Sequence, residues 1–132
     1  MQKKYLYIVD DEESIRNALE RELRRWAREA DLIIKSFETP LEILAAVEKN
    51  KDSVWTIISD QRMPYMDGLT LIQMIHEKMP MLPMILLTGN IDIESIVKLN
   101  PPGVFSVLEK PWEHETLIRM LERASQYRMT RV

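Results

Sequence analysis

Five short apolar runs recur along the 132 residues: "YLYIV" (5–9), "LIIKSF" (32–37), "VWTIIS" (54–59), "MILLT" (84–88) and "VFSVL" (104–108). The first, third and fourth are continuous rather than alternating, the pattern of strands covered on both faces. Between the runs, apolar residues return at helical spacing. Ile15, Leu19, Leu23 and Trp26 share one helical face, and Ser14 or a neighbouring acid is expected to cap that helix. "TPLE" at 39–42 reads as a helix start, with Thr39 as N-cap, Pro40 in the first turn and Glu42 closing a capping box. Leu69, Ile72, Ile75 and Met79 predict a third helix between Gly68 and Pro80. Ile93, Ile96 and Val97 predict a short fourth, ended by "NPPG", and Leu117, Met120, Leu121 and Ala124 a fifth. Strand and helix thus alternate five times. Right-handed crossovers then give an α/β fold, a mainly parallel five-stranded sheet with helices on both faces.

Composition limits what such a fold can do. Hydrophobic residues make up 45% and charged residues 30%, the balance of an ordinary folded domain. There is no cysteine, which excludes disulfides, thiolate catalysis and cysteine-ligated metals. A net charge of −3 does not suggest a nucleic-acid surface, so direct nucleic-acid binding is not expected. No apolar run approaches the ~20 residues of a membrane span, and the N-terminal apolar stretch is too short for a signal peptide. The expected compartment is the cytoplasm, with no membrane partner. Residues 1–132 are expected to form one domain with its core at about 4–124. Residues 125–132 are either a solvated helix end or the start of a linker to an output domain. Arg123, Arg128 and Arg131 would suit the helix dipole in the first case.

Candidate chemistry lies at the strand ends. In an open α/β sheet, ligands bind beyond the carboxyl ends of the strands. After the first strand stand Asp10 and Asp11, followed by Glu12 and Glu13; after the third, Asp60; after the fourth, Thr88 and Gly89; after the fifth, Glu109, Lys110 and Pro111. The second strand ends in "SFETP" and offers nothing comparable, which places it at an edge of the sheet. Carboxylates this crowded repel by up to roughly 4 kcal/mol per pair at about 4 Å and an effective dielectric near 20. Three of them without histidine or cysteine make a hard-oxygen site suited to Mg²⁺ or Mn²⁺. A lysine and a hydroxyl opposite are what a phosphoryl group needs as charge partner and hydrogen-bond donor. The implied chemistry is phosphoryl transfer to an aspartate.

In order and position, "IVDDEESIR", "SDQRMPYMDG", "LTGN" and "LEKPW" resemble a response-regulator receiver domain of a two-component phosphorelay, from about Lys4 to Arg123. The resemblance implies a flavodoxin-like, CheY-like (βα)5 sandwich with strand order 2-1-3-4-5. It implies that Asp60 accepts a phosphoryl group from a histidine kinase or phosphotransfer protein. Asp11 would ligate Mg²⁺ directly, Asp10 would hold its waters, and Asp60 and the carbonyl of Arg62 would complete the protein ligands. Thr88 would bond a phosphoryl oxygen and Lys110 would pair with the phosphate, with a cis bond expected at Lys110–Pro111. Arg62 and Asn90 lie where such domains flank the phosphoryl group. Such a domain is a signalling switch that catalyses only its own phosphorylation and dephosphorylation. A homodimer through the face of the fourth helix, fifth strand and fifth helix is a further expectation.

One position departs from the family. Three residues before the lysine, receivers usually carry an aromatic side chain whose rotamer follows phosphorylation; here it is Val107. Phe105 lies two residues earlier, on the same side of an ideal strand. A flavodoxin-like redox carrier would want a Ser-, Thr- and Gly-rich phosphate loop where "DDEES" stands. A haloacid-dehalogenase-like phosphatase would want Asp-x-Asp there. A degenerate receiver acting as an interaction scaffold is the remaining alternative. His76 and His114 read as helix-surface residues, and Trp112 as a cover for the start of the fifth helix or the border of a partner surface. No output element is recognisable in the chain. "LEKPW" is closer to receivers joined to signalling enzymes than to the common DNA-binding ones.

Overall fold

A computed structural model describes residues 2–89 and 93–130. The elements run β1 (Tyr5–Val9), α1 (Glu13–Glu29), β2 (Ile33–Phe37), α2 (Pro40–Lys49), β3 (Val54–Asp60), α3 (Gly68–Lys78), β4 (Met84–Gly89), α4 (Ile93–Leu99), β5 (Val104–Lys110) and α5 (His114–Thr130). All strands are parallel, in the order β2-β1-β3-β4-β5. This is the flavodoxin-like architecture and strand order that the resemblance implies, with β2 at one edge.

The continuous apolar runs are explained by two cores, one on each face of the sheet. Tyr7, Val9, Ile57, Met84 and Leu86 point into a layer closed by Ile43, Leu71, Ile75 and Ile96. Their neighbours Leu6, Ile8, Ile58, Ile85 and Leu87 point the other way, onto Leu19, Leu23, Leu117 and Leu121. Because alternate residues of a strand face opposite sides, both sets must be apolar when both faces are covered.

Local signals were followed closely at α2 and less closely at α1. Thr39 accepts from the Glu42 backbone while the Glu42 side chain accepts from the Thr39 backbone, the expected capping box with Pro40 in the first turn. The Asp67 side chain accepts from the Thr70 backbone and caps α3. At α1, by contrast, neither Ser14 nor an acid caps. Glu12 occupies the N-cap without a side-chain bond, and Asp10 Oδ1 instead accepts from the Glu12 backbone at 2.9 Å. Near the end of α5, Arg128 is half-buried. Arg128 lies 5.6 Å from the centre of the Trp55 ring, whose neighbours include Lys4 at 4.5 Å, and burial holds its guanidinium below its usual pKa. Arg131 lies outside the described residues.

The register of β5 corrects the placement of Phe105. Pairing with β4 shifts between Met84↔Val104 and Ile85↔Ser106, so Phe105 is the extra residue of an irregularity. Its ring stacks on Tyr127 of α5, 5.3 Å between centroids, while Val107 packs against the layer containing Leu86 and Ile96. The two do not share a side as they would on an ideal strand.

Candidate functional site

The carboxyl ends of β1, β3, β4 and β5 meet at one point. Asp10 follows β1 with no exposed surface, and its carbonyl accepts from Arg16 Nη1 at 2.7 Å. Asp60 closes β3 at 4% exposure and Thr88 lies in β4 at 2%. Lys110 ends β5, with Nζ 2.7 Å from Asp60 Oδ1 and 3.6 Å from Asp10 Oδ2. Asp11 is the open member of the acidic set. Oxygens of Asp10, Asp11 and Asp60 lie within 4.8 Å of one another. Arg62 lines the cleft beside Asp11, with Gln61, Met63, Pro64 and Asp67. Every sequence-predicted site residue that is described therefore falls in or beside this pocket; Asn90 lies outside the described residues. The Lys110–Pro111 peptide is cis.

Electrostatics explain why these groups tolerate one another. Burial pushes the Asp10 carboxyl up to about 6; the Glu12 backbone bond opposes the rise and the Asp60 charge adds to it. Burial raises the Asp60 carboxyl as well, against the hydrogen bond and charge of Lys110. For Lys110, burial alone would depress the ammonium, but the hydrogen bond to Asp60 and the charges of both aspartates raise it overall. Lys110 thus remains a cation among acids that are themselves reluctant to ionise.

Among the described residues three buried side-chain polar atoms have no hydrogen-bond partner, and two of them, Asp10 Oδ2 and Thr88 Oγ1, belong to this site. An orphaned carboxylate oxygen beside two other carboxylates suits a hard cation, and an orphaned hydroxyl across the pocket suits an acceptor oxygen. The carboxylate set fits a hard divalent cation such as Mg²⁺.

Gln61, Tyr65 and Glu22 carried no sequence signal of their own role, and Gly68 signalled only a helix start. The loop after Asp60 is fastened to α3 by the Gly68 backbone donating to the Gln61 carbonyl and the Leu69 backbone donating to Gln61 Oε1, both at 2.9 Å. A β-carbon on Gly68 would overlap the Asp60 carbonyl oxygen, so the bare glycine lets α3 begin directly beneath the acceptor. In the same loop Tyr65 adopts φ 73° with its side chain 97% exposed, a left-handed conformation that a non-glycine residue adopts only at a cost. Glu22 of α1 accepts from Trp112 Nε1 at 3.1 and 3.2 Å and lies 3.1 Å from His114 Nδ1. Trp112 therefore does more than cover α5, and His114, exposed on α5 as expected, lies beside the same acid. His76 is on α3 as expected, but its Nδ1 is buried with no hydrogen-bond partner.

The match to known proteins agrees with this geometry. Residues 6–122 match the family model of the response regulator receiver domain. The DNA-binding transcriptional regulator NtrC of Salmonella typhimurium is 39% identical over 124 residues, which cover 94% of this chain and 25% of that protein. The solved apo receiver domain of nitrogen regulatory protein C superposes with a TM-score of 0.78 at 37% identity, covering 96% of this chain and 98% of that one. The signal receiver domain of an HD domain-containing protein from Pseudomonas fluorescens Pf-5 superposes with a TM-score of 0.84 at 26% identity, covering 99% and 93%. The chain belongs to the response regulator receiver family, the signalling switches of two-component systems. It spans about a quarter of the length of the NtrC proteins it matches, and its solved neighbours include receivers from both a transcriptional regulator and an HD-domain protein. Among the described residues, no helix is long and apolar enough to cross a membrane.

Proposed function

We propose that this receiver is a working phosphoacceptor and not a degenerate scaffold, taking a phosphoryl group onto Asp60 from a phosphohistidine of a histidine kinase or phosphotransfer protein. Asp10, Asp11, Asp60 and the Arg62 carbonyl would hold Mg²⁺, which when bound offsets charge on the phosphoryl oxygens. In the transfer a carboxylate oxygen of Asp60 forms the new bond to phosphorus as the P–N bond breaks, its electron pair leaving with the imidazole. Lys110, already beside Asp60, pairs with the arriving charge, and Thr88 donates to a phosphoryl oxygen. The switch would operate in the cytoplasm as one domain, its core at about 4–124, with partners that include its kinase and an output element.

The observation that carries this reading is the pairing of an orphaned, buried Thr88 Oγ1 with a Lys110 ammonium held 2.7 Å from Asp60. A scaffold has no need to bury a hydroxyl without a partner, which costs about 1–3 kcal/mol. Intact-mass measurement after incubation with acetyl phosphate and Mg²⁺ tests it. The wild-type chain gains one phosphoryl mass and Asp60→Asn gains none. Labelling of Asp60→Asn to the wild-type extent would place the acceptor elsewhere.

A further inference from the structure

The loop between β5 and α5 is held at its two ends by side chains from different parts of the molecule. At one end Lys110 lies on the Asp60 and Asp10 carboxylates. At the other, Trp112 donates its indole N–H to both oxygens of Glu22, 90 positions away on α1. The Trp112 ring also packs against the layer of Leu19 and Leu23, so its bond to Glu22 forms in a half-buried setting where a lost partner is costly. Between the two anchors stands only Pro111, whose ring fixes φ and leaves little slack. Lys110 itself has a long, flexible side chain whose ammonium lacks a fixed fork geometry. Its position over Asp60 therefore depends on where its backbone is held.

We infer that Glu22 is a positioning residue for phosphoryl uptake: by gripping the Trp112 indole it fixes the Lys110 backbone, and through it the ammonium, against Asp60. The inference rests on the proposed role of Lys110 as the partner of the arriving phosphoryl group. Glu22 and Trp112 are not themselves among the proposed metal ligands, which follow β1, end β3 or lie in the loop after it; only Lys110 touches two of them, Asp60 and Asp10. Phosphoryl uptake and metal binding should consequently respond differently when the grip is released.

The experiment uses the full chain and four variants: Glu22→Leu, Glu22→Gln, Trp112→Phe and the Glu22→Leu/Trp112→Phe double. Leucine removes the acceptor and phenylalanine removes the donor while keeping a ring, whereas glutamine retains an accepting oxygen. With acetyl phosphate as donor, Glu22→Leu and Trp112→Phe should each slow labelling several-fold, within the roughly 100-fold that a 1 Å misplacement can cost. Mg²⁺ affinity should stay within about twofold of wild type, Glu22→Gln should keep more than half of the rate, and the double variant should be no slower than either single. Labelling of folded Glu22→Leu at the wild-type rate, additive losses in the double variant, or a parallel loss of Mg²⁺ affinity would each overturn the inference. Should Glu22→Leu not fold, Trp112→Phe and Glu22→Gln decide the same question. If the wild-type chain itself takes up no phosphoryl group, the proposed function fails. The positioning role is then decided by NMR of the Lys110 side-chain carbon and ammonium in the metal-free protein. The variants should move those resonances; unchanged resonances sink the idea.

Discussion

Gly68 sits so close beneath Asp60 that a β-carbon would collide with the Asp60 carbonyl and press on Leu86 Cδ1. The neighbour on one side is backbone, which cannot swing away as a side-chain tip can. The glycine thus sets the distance between the start of α3 and the end of β3, and with it the height of Asp60 in the pocket. Gly68→Ala should destabilise the fold by about 1–3 kcal/mol, the usual cost of overpacking, despite alanine's better helix propensity. Chemical denaturation reads the stability. A neutral result would mean that α3 can slide without moving Asp60.

Metal should bind the resting protein and stabilise it. Oxygens of Asp10, Asp11 and Asp60 lie within 4.8 Å of one another, and a divalent cation would remove their mutual repulsion. By mass action, a ligand present at a hundred times its dissociation constant adds about 2.7 kcal/mol. The melting temperature should accordingly rise with millimolar Mg²⁺ in wild type and respond less in Asp11→Asn, which removes the open ligand. A melting temperature insensitive to Mg²⁺ would favour the scaffold reading. It would also leave the crowding of acids after β1 without a cause.

The raised carboxyl of Asp10 makes a separate prediction for metal-free protein. Its folded value is about 6, against about 3.9 in an unfolded chain. Between those values the folded state binds more protons than the unfolded one, so its stability falls as pH rises through about 4 to 6. The protonated carboxyl's contribution, on the order of 2–3 kcal/mol, is fully present below that window and lost above it. Asp10→Asn keeps an oxygen for the Glu12 backbone and has nothing to ionise. Its stability relative to wild type should grow as pH rises from 4 to 7 in chelator. A constant difference between the two proteins across that range would show that Asp10 ionises without penalty.

Much of this architecture is legible in the chain because each signal is local. Three continuous apolar runs mean strands covered on both faces, and Leu6 and Tyr7 do point into different cores. The site is legible for the same reason, since each of its charged groups stands at the end of a strand. The strand order came from family resemblance, because only the plain end of β2 announced an edge. The rest depended on contacts that leave no periodic trace. Phe105 is one extra residue in β5, and no alternation pattern marks a single insertion. Glu22 and Trp112 meet across 90 positions, and each alone reads as an ordinary helix acid and an ordinary aromatic. Ser14 failed as a cap because the helix starts before it, with Glu13 as its first residue and Glu12 at the N-cap.

Val107 raises the question of what moves when Asp60 is phosphorylated. The added charge of roughly −1.5 to −2 should draw Thr88 Oγ1 inward, since that hydroxyl has no other partner to give up. A ring at position 107 could then swing into the space released, but valine has one stiff torsion and nothing to swing. The neighbouring element with the smallest buried face is α4. It has seven residues, of which only Ile96 is buried, at 4% exposure, while Val97 and Leu99 are 59% and 75% exposed. So small a buried face holds the helix weakly, and weakly held elements open locally at low free-energy cost. Residues 90–92 of the segment "GNIDIES" that leads into α4 lie outside the described residues. Val107 and Ile93 line one wall of a groove of about 290 Å³ with Trp112 and Met120, which a tyrosine at 107 would partly fill. Val107→Tyr should therefore leave labelling by acetyl phosphate within about twofold of wild type while changing the behaviour of α4 and any self-association on the α4, β5 and α5 face. Backbone amide exchange with and without beryllofluoride and Mg²⁺ is the measurement. In wild type, residues 93–99 should change protection on activation, and in Val107→Tyr the size of that change should differ. If protection changes stay confined to the strand ends around Asp60 and residues 93–99 do not respond, α4 is not the element that phosphate biases.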